Sequence, residues 1–329
     1  MNILVTGGAG YVGSHVVEEL LKTKKHNIVV LDNLQKGHRE AVVGGEFVEG
    51  DLADTDLLDQ VFAEHSIEAV VHLAADSLVG ESVEHPDKYF RNNVTNGLNL
   101  LDAMVRHGAR YMVFSSTAAV YGEPIETPIR EDHPQQPTNP YGESKLFFEK
   151  IMARYDKAYG LRYMSLRYFN AAGASPSGAI GEDNRPESHL IPIIIQAALG
   201  QRECVTIFGT DYDTPDGTCI RDYIHVTDLA AAHVLALDAL AQGADSNVYN
   251  LGNGAGFSVR EVIDMVEKVV GRHINRIEGE RRPGDPAVLV ASSQRIMAEL
   301  GWEPKYHDLE TIVQTAWDWH RKHPQGFGS

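Results

Sequence analysis

The sequence predicts a doubly wound α/β fold on a mostly parallel sheet, followed by a smaller mixed α/β region. Three observations carry that expectation. Short β-branched runs alternate with helix-length apolar periodicity through the first half, a glycine-rich turn follows the first run directly, and from Asn170 the composition shifts to small, turn-forming residues. At 329 residues the chain exceeds the usual single-domain size, so one large domain or two intimate ones is expected. With 43% apolar and 23% charged residues it matches ordinary globular usage, which excludes fibrous, coiled-coil and wholly disordered classes.

The candidate strands, in order, are Ile3–Thr6, Ile28–Leu31, Glu46–Glu49, Ala69–Leu73 and Tyr111–Ser115, each separated from the next by enough chain for a right-handed crossover. Residues 1–167 are therefore expected to form the doubly wound unit. The second region, residues 168–329, opens with the loop-like Asn170-Ala-Ala-Gly-Ala-Ser-Pro-Ser-Gly. A helix over Asp222–Leu240 and a strand over Asn247–Leu251 are expected to return to the first sheet.

Charge and composition narrow the partners. The 29 basic against 46 acidic residues give a net charge of −17, which repels nucleic acid and anionic membrane surfaces; an anionic ligand would need local arginines. Cys204 and Cys219 are too few for a disulfide framework, and the 15 histidines show no metal-ligand spacing, so no metal is expected. The N-terminus reads as a strand, and the longest apolar runs, such as Ala69 to Ala75, fall far short of the ~20 residues that span a bilayer. A cytoplasmic protein with no membrane partner is the expectation.

Thr6-Gly7-Gly8-Ala9-Gly10-Tyr11-Val12-Gly13 lies between the first strand and an apolar-periodic helix. Glycine permits a tight turn, close approach of backbone to a pyrophosphate and close helix–strand packing, while the helix N-terminus offers free N–H groups. The second strand ends at Leu31-Asp32-Asn33, nineteen residues beyond Gly13, where a carboxylate can accept ribose hydroxyls and would repel a 2′-phosphate. A Rossmann-type NAD site follows, with Gly7, Gly10, Tyr11, Val12, Gly13, Asp32 and Asn33 as its first candidates. Asp51 and Leu52 after the third strand, Leu73, Ala74 and Ala75 after the fourth, and Asn92 extend the list; Asp51 serves equally well as a helix N-cap.

Pro140-Tyr141-Gly142-Glu143-Ser144-Lys145 opens a helical stretch to about Tyr159, with Asn139 as N-cap. Tyr141 and Lys145, four apart, share a helix face, so the ammonium can stabilise a phenolate. Acting as a base at neutral pH requires lowering a phenol by roughly three units, about 4 kcal/mol. Upstream, Ser115-Ser116-Thr117-Ala118-Ala119 places hydroxyls at a carboxyl strand end, where such sheets bind ligands. Thr117 can share a proton with Tyr141, while Ser115 and Ser116 are also candidates for capping the strand end.

Together T-G-G-A-G-Y-V-G, S-S-T-A-A-V-Y-G, Y-G-E-S-K, R-Y-F-N-A-A-G-A, R-D-Y-I-H-V-T-D and the late R-P-G-D closely resemble the extended short-chain dehydrogenase/reductases, in particular their UDP-hexose 4-epimerase branch, over essentially the whole chain. The resemblance implies an isomerase that interconverts UDP-glucose and UDP-galactose with retained NAD. Tyr141 would take the 4-hydroxyl proton as hydride leaves C4, Lys145 and Thr117 would assist, and the 4-keto sugar would rotate before hydride returns. Ala118 and Ala119 stand where dehydrating relatives carry acids, which favours this cycle over elimination. Other nucleotide-sugar 4-epimerases, such as one for UDP-glucuronate, and a non-catalytic NAD-sensing protein are the alternatives; the latter has no need of Tyr141 and Lys145.

The resemblance further implies NAD contacts from Ser115, Tyr141, Lys145 and Phe169. UDP-sugar contacts are implied for Thr117, Asn170, His189, Leu190, Phe208, Arg221, Arg282, Asp285 and Val288, the two arginines suiting a diphosphate. Ser77 and His189 depart from lysine and asparagine in some relatives. Val288 stands where some have tyrosine, an expectation that N-acetylated sugars fit. A homodimer through helices near Asp87–His107 and Tyr141–Tyr159 is implied as well. His225 in R-D-Y-I-H-V is expected to pack or hydrogen-bond rather than catalyse.

Overall fold

The structure, a computed structural model, describes residues 1–282 and 284–328; Pro283 of the R-P-G-D segment lies outside them. The chain begins with β1 (Asn2–Thr6), α1 (Tyr11–Thr23), β2 (Asn27–Asp32), β3 (Glu46–Glu49), α2 (Thr55–His65) and β4 (Ala69–His72). Next come α3 (Val79–Glu84), α4 (Pro86–Tyr89), α5 (Asn96–His107), β5 (Tyr111–Thr117), α6 (Pro140–Tyr159) and β6 (Arg162–Tyr168). The remainder holds β7 (Asn170–Ala172), α7 (Leu190–Ala198), β8 (Val205–Phe208), β9 (Ile220–His225), α8 (Val226–Ala241) and β10 (Asn247–Leu251). It closes with β11 (Gly256–Ser258), α9 (Val259–Val270), β12 (Arg276–Gly279), β13 (Val288–Leu289), α10 (Gln294–Leu300) and α11 (Leu309–His320).

Seven strands form one sheet in the order β10-β6-β5-β4-β1-β2-β3, every pairing parallel. Near-continuous apolar strands such as Ile3-Leu4-Val5 require cover on both faces, as parallel sheets do. On one face α1 and α8 bury Val16, Val17, Leu20, Leu229 and Leu237. On the other, α2, α5 and α6 bury Phe62, Leu100, Met104, Phe148 and Met152. Each such side chain contributes roughly 1.5–3 kcal/mol. The chain order reverses at β1, between β2 and β4, and their carboxyl ends form the crevice where doubly wound sheets take ligands.

The remaining strands make two small sheets, β11-β9-β13 with β7 on β9, and β12-β8, around a core of Ile191, Ile194, Ile195, Val262, Ile263, Val266, Ile312 and Val313. No helix among the described residues is long and apolar enough to cross a membrane.

Three expected elements differ. The helix expected over Asp222–Leu240 begins only at Val226, because Ile220–His225 is β9: buried Asp222 accepts the backbone N–H groups of Asn253, Gly254 and Ala291 and locks the segment as strand. The His225 ring then caps the helix, accepting from Thr227 N–H at 3.1 Å. Asn170–Ala172, expected as loop, pairs in parallel with β9.

The single helix expected near Asp87–His107 is broken by a π-helical turn at Phe90–Thr95. The Asn93 amide forms a two-way bridge to Asp76, accepting from its N–H and donating to its carbonyl, both at 2.9 Å, and also donates to Ser144 Oγ at 3.0 Å. The wide turn accommodates that tie between α6 and the crevice.

Candidate active site

Helix α6 starts where its sequence dictates: Asn139 accepts from Gly142 N–H at 2.9 Å and Pro140 occupies the first turn. That register puts Tyr141 in the first turn and Lys145 one turn later on the same buried face. A Cβ on Gly142 would stand 2.5 Å from the Ala119 carbonyl oxygen, so only glycine allows α6 to press its start against the end of β5.

Lys145, 2% exposed, donates to the Ser115 carbonyl at 2.8 Å; its Nζ lies 4.8 Å from the Phe114 ring centroid and 6.0 Å from that of Tyr141. Burial pushes the amine down to about 7, against the opposing pull of Glu149. Burial holds the Tyr141 phenol above its ordinary value, and the Thr117 hydroxyl beside it acts in the other direction. Without a bound cation at the site the phenol is thus a poor base, so the lowering that base catalysis needs is left to Lys145 and to positive charge brought by a ligand. Thr117 Oγ accepts from Ala119 N–H at 3.1 Å, which leaves its own O–H as a donor beside the Tyr141 phenol.

The two serines before it do not cap the strand. The Ser115 hydroxyl is bonded to the Tyr168 hydroxyl on the sheet face that α8 covers, and Ser116, pointing to the opposite face, donates to Glu149 Oε1 of α6 at 2.5 Å.

A groove runs over the carboxyl ends of β1, β2 and β4, walled by Gly7, Gly10, Leu31, Asp32, Asn33, Asp51, Leu52, Leu73, Ala74, Ala75 and Asn92, and also by Lys36 and Asp76. Gly7 adopts φ +74°, and a Cβ there would lie 2.5 Å from Ala74 N. A Cβ on Gly13 would overlap the Gly7 carbonyl oxygen, whereas one on Gly10 meets only that oxygen, at 3.3 Å. Gly10 is the N-cap of α1, with no side-chain cap and no acid in the first turn, so the helix N-terminus is left to an anion.

Asp32, buried at the end of β2, accepts from Ala9 and Leu34 N–H at 3.0 and 2.9 Å, and burial raises its carboxyl. The donors, the open second glycine and the acid fit a dinucleotide. Asp51 accepts from Asn33 Nδ2 at 2.6 Å and from Ala53 N–H at 2.8 Å; the α2 cap is Asp54 instead.

Several expected residues hold their side chains away from this groove, Tyr11 and Val12 still contributing their backbone N–H groups to the start of α1. The Tyr11 hydroxyl donates to the Gly173 carbonyl at 2.7 Å, Val12 packs on the core under α1, Gly13 packs on Gly7, Ser115 is held by Tyr168, and Phe169 packs with Tyr121 and Ile129.

A second cluster forms beside β9. Phe208 ends β8 with the Arg282 guanidinium 4.1 Å over its ring, Arg221 is paired with Asp285, and Val288 sits opposite Ile220 in β13. Leu289 reaches the Val120–Tyr121–Leu146 cluster at the start of α6, which ties this group to the Tyr141 end of the sheet. Asn170 opens β7 and Leu190 opens α7, whose N-cap is His189.

His189 hydrogen-bonds Glu182, and Glu182, Glu187 and His189 present ligand atoms within 4.8 Å of one another, a grouping their spacing does not reveal. Glu182 holds the imidazole up to about 9, and burial with the charge of Glu182 pushes Glu187 up to about 7. His189 thus brings positive charge to this pair of acids.

Sequence reasoning missed Asp76, Asn93, Glu149, Arg167 and Tyr168. Arg167 and Tyr168 belong to R-Y-F-N, so that motif was the available signal; Glu149, one turn beyond Lys145, carried none.

Residues 3–252 match the model of the NAD dependent epimerase/dehydratase family. The chain is 57% identical to UDP-glucose 4-epimerase of Halalkalibacterium halodurans over 329 residues, covering 100% of this chain and 98% of that protein. Among solved structures, a UDP-glucose 4-epimerase superposes with a TM-score of 0.98 at 53% identity, covering 100% of both chains. That of Bifidobacterium longum in complex with NAD+ and UDP gives 0.93 at 39% identity, covering 99% of this chain and 100% of the other.

Proposed function

Since this chain belongs to the NAD dependent epimerase/dehydratase family, we propose that it is an isomerase that inverts C4 of UDP-hexoses, interconverting UDP-glucose and UDP-galactose. The observation that carries the reading is the Tyr141–Lys145 pair on one buried face of α6, set with Thr117 at the carboxyl end of β5 beside the glycine-turn groove.

NAD, held by the α1 N-terminus, Asp32 and the groove wall, supplies reversible removal and return of hydride at C4. The protein's share is proton transfer and positioning. Tyr141 takes the proton of the 4-hydroxyl and gives it back to the same oxygen once the sugar has turned. Lys145 keeps positive charge beside the phenolate, and Thr117, its O–H free to donate, holds the sugar oxygen. Ala118 and Ala119 can move no proton, so elimination lacks an acid or base at this edge.

UDP is assigned to the β9 cluster, with Phe208 against uracil, Arg221 and Arg282 on the diphosphate, Asp285 on the ribose, and Asn170, His189 and Leu190 toward the sugar. Val288 leaves room for an N-acetyl group. A cytoplasmic homodimer through the surfaces of the α4–α5 region and α6 completes the proposal; Phe147 of α6, 45% exposed and stacked on Phe90, is one apolar element of that surface.

The test is to purify the protein, release any bound nucleotide by denaturation and identify it, and assay UDP-galactose conversion with no cofactor added. Released NAD and turnover support the reading. Protein saturated with NAD that leaves UDP-galactose unchanged overturns it.

A further inference from the structure

Lys145 and Glu149 stand one turn apart on α6, and each is tied to one of two consecutive serines of β5. The Ser115 carbonyl receives the Lys145 ammonium at 2.8 Å; the Ser116 hydroxyl donates to Glu149 Oε1 at 2.5 Å. The carboxylate is gripped from β6 as well: Arg167 Nε donates to Oε1 at 2.9 Å and its Nη2 to Oε2 at 2.5 Å. Arg167 is fixed in turn by Tyr121, whose hydroxyl accepts from Nη1 at 2.9 Å and donates to Asn250 Oδ1 at 2.7 Å. Glu149 and Arg167 are 5% and 2% exposed. A fully buried ion pair with each guanidinium nitrogen matched is a costly thing to keep in a core where apolar residues would pack as well.

We propose that Glu149 is a positioning residue of the Tyr141–Lys145 pair: it anchors the end of β5 that receives the Lys145 ammonium and supplies the buried negative charge that ammonium faces. The proposal rests on the reading that Tyr141 and Lys145 perform the proton chemistry.

The groups around Lys145 leave that charge to Glu149. From β4 comes His72, which burial holds down to about 3 and therefore neutral, bonded to Thr6 at 2.7 Å. From β5 come the Phe114 ring and the Ser115 carbonyl. From β6 come the Tyr168 phenol, kept protonated by burial, and the Arg167 cation; from α6 itself come Tyr141 and Glu149. Neutralising Glu149 leaves two buried cations and no counter-charge, so Lys145 loses its proton at lower pH.

The test is the pH dependence of kcat for UDP-galactose in the NAD-loaded enzyme, wild type against Glu149→Gln. A neutral Lys145 cannot stabilise a phenolate, so the alkaline limb is expected to move down by about one unit, about a tenfold loss of rate above the limb. KM is expected to change little. The double variant Glu149→Gln/Arg167→Met removes the pair without stranding the Arg167 charge, tests the proposal even if the single variant does not fold, and is expected to show a limb displaced in the same direction by less, since only the loss of the Glu149 charge then acts on Lys145. A folded variant with a wild-type limb overturns the proposal and makes Glu149 a purely structural partner of Arg167. Wild-type turnover by Tyr141→Phe overturns instead the reading beneath it.

Discussion

The ammonium of Lys145 stands 6.0 Å from the ring centroid of Tyr141, one helical turn away, with its proton directed to the Ser115 carbonyl. Burial works against the charged form of both groups, holding the amine at about 7 and the phenol above its ordinary range. Losing either should therefore remove most of the proton chemistry while leaving the fold intact.

Tyr141→Phe is expected to lower kcat by about 10²–10⁴-fold with unchanged melting temperature and unchanged bound NAD. Thr117→Ser keeps the hydroxyl and should stay near wild type, with Thr117→Ala between the two. Steady-state kinetics with nucleotide quantified in each preparation checks this.

The glycine turn separates folding from cofactor binding. Gly13→Ala would drive a methyl into the Gly7 carbonyl oxygen and should cost about 1–3 kcal/mol in urea denaturation. Gly10→Ala meets only the Gly7 carbonyl oxygen, at 3.3 Å, so it should retain stability and lose bound nucleotide, its methyl entering the space a pyrophosphate needs.

At the nucleotide end, Phe208 is 37% exposed beneath Arg282. If it stacks on uracil, Phe208→Ala should weaken UDP binding by about tenfold or more, visible in calorimetry, and raise KM while leaving kcat nearly unchanged.

The His189–Glu182 pair makes stability depend on pH. The imidazole is raised from 6.5 to about 9 in the folded protein, so its contribution is complete below pH 6.5 and is lost as pH rises through 9. Its side chain is 52% exposed, which keeps the effect modest. Thermal melts at pH 6 and pH 10 should differ less for His189→Gln than for wild type.

Much of the fold was legible because local chemistry and tertiary context agree. Glu46–Glu49 and Asn247–Leu251 are the strands their composition indicates, and α6 begins at the Asn139–Pro140 signal. Legibility failed where one distant side chain overrides periodicity. Asp222 gathers three N–H groups from later in the chain and makes the first four residues of an expected helix the end of β9; Asn93 bridges to Asp76 and widens a helix into a π turn. The site divided in the same way. Tyr141, Lys145, Thr117 and the groove wall follow from motifs at strand ends. Glu149 and the gathering of Glu182, Glu187 and His189 depend on which elements pack together, which spacing does not encode.

The most direct test of the account is the fate of the hydrogen at C4. Proton NMR of UDP-glucose formed from UDP-galactose in D2O should show the C4 hydrogen fully retained, since it leaves and returns without meeting solvent. Deuterium at C4 would mean that the carbon is deprotonated instead, and would contradict a mechanism in which Tyr141 handles only the hydroxyl proton.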